Sequence, residues 1–403
     1  MSIHALVTVV FEKLGGVKLK VVATNDEVDL FASVFAVQRL DCGSKPNTIK
    51  AQQSGILSLF RFCELHGIDL IRRISARDFL KIGEIEALSA YSSVNSTTGQ
   101  LVTPGWYAAR MRMARIFMEH LWLFYRTRYA GDVDSAQLST MLWDNLVRGI
   151  KLYEKAPYKS FSEAKKGLLP ELRDKFFTII DPDPDNKLNP WKTSKVRWRN
   201  YILLLLMILG GNRKGETLLL KLSHFQLTGM RKYYDILKVG HLVNYPRMES
   251  PSVKTFGRQV ELSDNLAFLV EYYITNARKQ FVSWQATNYL FISYRDGQPL
   301  SLQTPNAVLN ELIKRHPEYQ GVLSPHRLRN TFHDLLNEAL DKKFKDHGGL
   351  SRKLLKSPIQ EFAGGWVRGS LMPDRYSARS IEANVAKVSV AIQNQLVNPP
   401  AKA

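Results

Sequence analysis

The feature that most constrains this chain is the apolar run Tyr201–Leu209, which ends at the glycine pair Gly210-Gly211. A bilayer-spanning helix needs about 20 consecutive apolar residues, so a run of this length reads as a buried core helix. The basic residue that soon follows the glycines, Arg213, fits the same reading. A chain of 403 residues is long enough for two or three domains and a sizeable core around such a helix. The apolar patch Ala5–Phe11 near the start has neither a preceding basic region nor a small-residue cleavage site, so it is not read as a signal peptide. The two cysteines, Cys42 and Cys63, form no CxxC and have no metal-ligand spacing, which fits a reducing compartment. A cytoplasmic protein without a membrane partner is expected.

Charge narrows the choice of partner. The chain has 56 Lys+Arg against 37 Asp+Glu, a formal net charge of +19. An excess of this sign favours a polyanion, because each phosphate neutralised releases condensed counterions. Ribosomal and membrane-surface proteins share the bias, so charge alone does not single out DNA.

The pattern along the chain divides it. Residues 1–25 read as an appended arm, with Val and Lys alternating around Lys18-Leu19-Lys20 in a short strand or hairpin. Residues 26–154 read as helical. One helix runs from Thr48 to a stop at Gly67, a second covers Ser75–Lys81, and a third starts near Pro104. In the third, Arg110, Arg112 and Arg115 alternate with Met111, Met113, Ile116 and Phe117. Residues 155–190 read as a linker punctuated by Pro157, Pro170, Pro182, Pro184 and Pro190. The acidic stretch Asp181–Asp185 within it reads as a solvated turn, since alternate prolines keep the carboxylates from converging on a metal. A second domain over 191–380 opens with Lys192, Lys195, Arg197 and Arg199, ahead of the buried helix. Strands are expected at 234–239, 252–262 and 289–293, with a helix at 265–279, a turn at Asp296-Gly297 and mostly helix beyond. The fold class is mainly α with a small β-sheet. Residues 381–403 read as a final helix and tail, with Ile381, Val385, Val388, Ile392 and Leu396 in one stripe.

Five places in the second domain carry polar groups suited to phosphate chemistry. Arg213 lies between Gly211 and Gly215, where a guanidinium can approach a phosphate, and Glu216 can orient it. A structural ion pair is an equal reading. Lys254 lies near the tip of an expected hairpin over 253–260, placed to enter a groove or to remain a solvated lysine. His326 and Arg329, three apart, share a helix face. Trp366 follows Gly364-Gly365, and Tyr376 is the only tyrosine after Tyr319. Either aromatic alone is more often core.

Taken in order, these places resemble the signature of the tyrosine recombinase (phage-type integrase) family: Arg, Lys, His-x-x-Arg, His or Trp, then Tyr. The resemblance covers roughly residues 190–380 and includes "GGNRKGETLLLKLSHF", "VKTFGRQVEL", "HRLRNTF" and "AGGW" ahead of "RY". It implies a catalytic domain paired with a helical, SAM-like core-binding domain in a C-shaped clamp around double-stranded DNA. It implies a site-specific recombinase or integrase that needs neither ATP nor metal. Arg213 and Arg329 would grip the scissile phosphate, and Tyr376 would attack it to form a 3′-phosphotyrosyl link. Lys254 would protonate the leaving 5′ oxygen, with Lys238 and Lys232 as alternatives because the gap after Arg213 is long. His326 would accept the tyrosine proton or support it by a hydrogen bond, and Trp366 would donate its indole N–H towards the phosphate. DNA contacts are expected from Arg110, Arg112, Lys192, Lys195, Arg197, Arg199 and Arg258. Family precedent further implies a homotetramer on paired sites, accessory DNA-bending proteins and a nucleoid-associated location. The final stripe would pack in cis or on a neighbouring protomer. A DNA-binding relative without the reaction, a type IB topoisomerase, a telomere resolvase and a metal-dependent nuclease are the competing readings.

Overall fold

The computed structural model describes residues 3–14, 16–129, 131, 133–159, 166–238, 245–247, 251–253 and 255–373. Tyr376, Lys254 and the stripe from Ile381 to Leu396 lie outside the described residues. The chain divides into two compact units between residues 161 and 162.

The first unit opens with β1 (His4–Phe11), β2 (Val17–Thr24) and β3 (Glu27–Val28), followed by α1 (Leu30–Asp41), α2 (Pro46–Leu65), α3 (Leu70–Ser75), α4 (Ile82–Ser93), α5 (Pro104–Tyr125) and α6 (Val133–Leu152). β1 and β2 pair antiparallel from His4↔Thr24 to Phe11↔Val17. The residues read as an arm are therefore a hairpin, and it is not a free appendage. Val17, Leu19, Val21 and Val22 of β2 are buried in the core shared with the helices. The buried Gln53 of α2 fixes that attachment. Its amide oxygen accepts from the Val22 N–H at 3.0 Å, and its amide nitrogen donates to the Ala32 carbonyl at 2.8 Å.

α5 is the unit's central helix, with Tyr107, Met111, Ala114, Phe117, Met118 and Leu121 all buried. It starts where Thr103 caps and Pro104 occupies the first turn. α2 stops at Gly67, whose φ of 64° supplies the left-handed C-terminal position. The helix expected at Ser75–Lys81 is absent. α3 ends at Ser75, and Arg77 enters the left-handed region at φ 63°, so no helix can run through it.

The second unit contains α7 (Pro170–Ile180), α8 (Ser194–Ile208), α9 (Lys214–Leu218), β4 (Phe225–Gln226), β5 (Tyr233–Ile236), β6 (Arg258–Glu261), α10 (Asp264–Tyr272), α11 (Thr304–Arg315), α12 (Pro325–Lys343) and α13 (Gly349–Gly364). Every residue from Ile202 to Ile208 is buried, so α8 is the core helix that its composition demands. Phe176, Ile179 and Ile180 of α7 and Trp191 join the same core. Much of the stretch read as linker therefore belongs to this unit. Its prolines shape a helix start and a tight turn rather than a tether. In that turn Asp181 and Asp183 accept backbone N–H groups two residues on, at 3.0 and 2.8 Å.

The sheet order is β4-β5-β6, antiparallel, with Tyr234↔Val260 and Ile236↔Arg258 in register. Val253–Val260 is thus not a local hairpin, because β6 pairs with β5 across a longer connection. Among the described residues, 289–293 contributes only isolated bridges, Lys221↔Tyr289 and Ile292↔Pro299. No helix among the described residues is long and apolar enough to cross a membrane.

The glycine pair after α8 positions the next stretch of chain. A Cβ on Gly210 would lie 2.1 Å from the Tyr234 hydroxyl, and one on Gly211 would lie 2.3 Å from the Phe332 ring. The chain passes between β5 and α12 only because both side chains are missing, and Gly211 also holds φ 63°. Gly211→Ala is expected to lose about 1–3 kcal/mol of stability in denaturant unfolding. Gly83→Ala, where an added Cβ meets nothing within 4 Å, should be neutral or stabilising by up to about 1 kcal/mol.

Candidate active site

The glycine passage delivers Arg213 to the N-cap of α9, in extended backbone, with Glu216 three residues later. Glu216 reaches back to accept from the Arg213 N–H at 3.0 Å and from its Nη1 at 3.1 Å. The spacing thus makes one side chain both a helix cap and a counter-ion. Two further elements converge on the same carboxylate. Thr255 donates its hydroxyl to Oε1 at 2.8 Å, and Arg258, at the start of β6, donates Nη2 to Oε2 at 3.0 Å. Arg329, on α12, brings Nη1 to 3.9 Å of Oε2. The Glu216 side chain is fully buried. Burial alone would raise its pKa, but Arg258, Arg329 and Arg213 with the Arg213 N–H more than offset that and hold it at about 2.

Arg329 is itself fully buried and anchored by backbone carbonyls. Its Nη1 donates to Gly211 O, and its Nη2 donates to Gly364 O at 2.9 Å. Gly364 O also accepts from Arg213 Nη1 at 3.4 Å, so the end of α13 lies between the two arginines. The turn at Gly365, with φ 62°, leaves no room for a side chain, since a Cβ there would lie 2.9 Å from Thr255 Cβ and 3.1 Å from Arg258 Nη1. Beyond it Trp366 stacks on His333 at 4.8 Å, with the Arg329 guanidinium 5.4 Å from its ring centre. Burial first, then Arg329, Arg258, Arg213 and His326, push the His333 pKa well below its usual value, so the ring is neutral.

The structure therefore brings Arg213, Arg329 and Trp366 together. His326 does not share their setting. It is exposed on the first turn of α12, while Arg329, one turn on, is buried, although the His326 charge is felt at His333. Sequence reasoning missed Thr255 and His333, which no motif marks. It also misplaced Arg258, expected on DNA but buried against Glu216.

Of the other expected DNA contacts, Arg199 needs correcting for the same reason, while Arg197, Arg110 and Lys195 are half-buried with carbonyl partners inside the fold. Arg199 is buried and bonds Asn200 Oδ1 and Ile292 O, and burial lowers its pKa. Arg197 donates to the carbonyls of Trp191, Asp183 and Pro184, which pins the acidic turn. Arg110 is half-buried and donates to Ser92 O and Val94 O, both at 2.9 Å. Lys195 caps Gln280 O at 3.1 Å. Arg112 and Lys192 are exposed, as a phosphate contact requires.

Three guanidinia share one carboxylate, which leaves two positive charges in excess in a water-poor pocket. Such an arrangement can bind an anion and can stabilise charge that develops on it. Because the folded pKa of Glu216 lies below its ordinary 4.5, its contribution to stability is present above pH 4.5 and is lost as pH falls towards 2. Glu216→Gln should lower stability at neutral pH by roughly 3 kcal/mol. Thermal unfolding should show the gap from the parent protein closing below pH 4.5, and a gap constant down to pH 2.5 would refute the assignment.

Comparison with known proteins adds the family. Residues 186–344 match the family model described as the phage integrase family. The match takes in Arg213, His326 and Arg329 and ends before Trp366 and Tyr376. The fold is similar to that of the Tn1549 transposon integrase in complex with circular intermediate DNA, at 15% identity and TM-score 0.50, covering 88% of this chain and 98% of that one. With the same integrase on transposon right end DNA the values are 14%, 0.51, 89% and 99%. A lambda integrase dimer bound to a core site also matches, at 13% identity and TM-score 0.42, covering 86% of this chain and 94% of that one. No curated protein sequence matches the chain. The mainly helical fold with small antiparallel sheets is the one shared with the Tn1549 integrase. Over residues 186–344 this chain is thus similar to the phage integrase family.

Proposed function

We propose that this chain is a site-specific recombinase or integrase that breaks and rejoins double-stranded DNA through a 3′-phosphotyrosyl link on Tyr376. The observation that carries the reading is the excess of two positive charges where Arg213, Arg258 and Arg329 meet Glu216, inside the stretch similar to the phage integrase family. In this reading Arg213 and Arg329 hold the non-bridging oxygens of the scissile phosphate. The Tyr376 oxygen attacks phosphorus, its proton passes to His326, and the P–O5′ bond breaks as Lys254 protonates the departing oxygen. Trp366, held by His333, presents its indole N–H to the phosphate. The phosphotyrosyl bond conserves the energy of the phosphodiester. A 5′-hydroxyl from another strand reverses the steps, and neither ATP nor metal is called for.

Exposed cations such as Lys192 and Arg112 would track the DNA backbone, with the first unit as the core-binding domain. Recombination between two sites would require four protomers, with the stripe from Ile381 to Leu396 packing in cis or between them. Accessory DNA-bending proteins and a nucleoid-associated location belong to the same reading.

Covalent capture tests it. The protein is mixed with nicked duplexes of randomised sequence in chelator, and protein–DNA adducts are resolved under denaturing conditions. An adduct is expected that disappears in Tyr376→Phe and forms about 10²–10³-fold more slowly in Arg213→Ala or Arg329→Ala. DNA binding without any adduct, or an adduct that survives Tyr376→Phe, would sink the reading. Relaxation of supercoils without preference for a site would assign a topoisomerase instead.

A further inference from the structure

The cluster on Glu216 holds one more cation than a phosphodiester needs, and Arg258 is the one that does not face the others' partners. Its side chain is 2% exposed, and Nη2 meets Glu216 Oε2 at 3.0 Å. Its Nε and Nη1 are buried and have no hydrogen-bond partner among the described residues. An arginine kept only to tie β6 to α9 would be expected to have those donors satisfied, since an unmet buried donor is costly. Arg213 and Arg329, in contrast, both also donate to Gly364 O, at the end of α13.

Charge counting gives the third guanidinium a use. Without Arg258, two guanidinia and one carboxylate would leave a single positive charge in excess, which matches the one negative charge of a phosphodiester. With it the excess is two, which matches the two negative charges carried by the pentacoordinate phosphorus in the transition state. A site complementary to the transition state rather than to the substrate accelerates the reaction without tightening binding.

We propose that Arg258 is a positioning residue for strand cleavage, one that acts through Glu216 and does not touch DNA. It occupies the carboxylate, so that Arg213 and Arg329 keep their charge for the phosphate. The inference rests on the reading of this site as the DNA-cleaving centre.

The test compares Arg258→Gln and Arg258→Lys with the parent protein on the nicked duplex recovered by covalent capture. Adduct rate, DNA affinity and melting temperature are measured for each. Arg258→Gln is expected to cut the adduct rate at least a hundredfold while DNA affinity stays within threefold. Arg258→Lys, which keeps the charge, should stay within tenfold of the parent. With a methylphosphonate at the scissile position the transition state carries one negative charge fewer, and the Gln defect should shrink below tenfold. Equal losses in Gln and Lys, an undiminished defect on the methylphosphonate, or no defect at all would overturn the proposal while leaving the cleavage reading intact. If the parent protein forms no adduct, both fall together. Should Arg258→Gln not fold, Arg258→Lys decides alone: a rate within tenfold supports the role, and a hundredfold loss at native melting temperature refutes it.

Discussion

The second unit depends on one buried carboxylate. Glu216 accepts from the Arg213 N–H and guanidinium, the Thr255 hydroxyl and Arg258, with Arg329 at ion-pair distance. It thereby joins α9, the approach to β6, and α12, three elements far apart in sequence. Taking an ion out of water costs several kcal/mol, which is recovered only when geometry and hydrogen bonding are good. Here both oxygens are met from several sides. A buried carboxylate so engaged is a poor source of net stability but a strong constraint on which arrangement of the three elements is allowed. Removing it would leave guanidinia crowded without a counter-charge, so the cations can be close together only because Glu216 is among them.

Arg329 shows the second half of that constraint. Its donors go to the carbonyls of Gly211, just past the end of α8, and Gly364, the last residue of α13. Helix C-termini carry partial negative charge, so a cation lodged between two of them is held in orientation as well as place. Side chains on either glycine would block the approach, since Phe332 closes over Gly211 and Trp366 over Gly364. The absence of a Cβ at each glycine leaves room for the ring that covers it beside the carbonyl that meets the guanidinium.

How much of this was legible in the sequence depends on the range of the interaction. α8 was legible because nothing but burial suits an unbroken apolar run, and the Gly67 stop because it is local. Arg213 and Glu216 were legible as a pair three apart, and His326 and Arg329 as a helical spacing, though not that one turn separates an exposed ring from a buried guanidinium. The helix expected at Ser75–Lys81 failed on Arg77, whose left-handed backbone no propensity announces. The expected linker failed because proline marks a helix start at Pro170 as readily as a tether. Arg258, Thr255 and His333 were not legible as a cluster, because their neighbours come from elements distant in the chain. For Tyr376 and Lys254, which lie outside the described residues, the sequence remains the only ground.

Counting arginines would not have found the centre. Arg278 is as buried as Arg258, yet its nitrogens all meet carbonyls, those of Trp284, Thr287, Tyr289 and Leu290. It stitches an irregular loop that has no sheet to satisfy its backbone, and Arg199 does similar work at Ile292 O. These charges contribute to the net +19 and are engaged by carbonyl oxygens within the fold. The Glu216 cluster differs in being short of acceptors. Three guanidinia share one carboxylate, two of them also share one helix-end carbonyl, and two nitrogens of Arg258 have no hydrogen-bond partner among the described residues. A folded chain rarely leaves such donors unmet without reason. Surplus charge of this kind is complementary to an anion that arrives from outside the chain, and it is what separates this cluster from a packing device in the proposed reading of it as a place for phosphate chemistry.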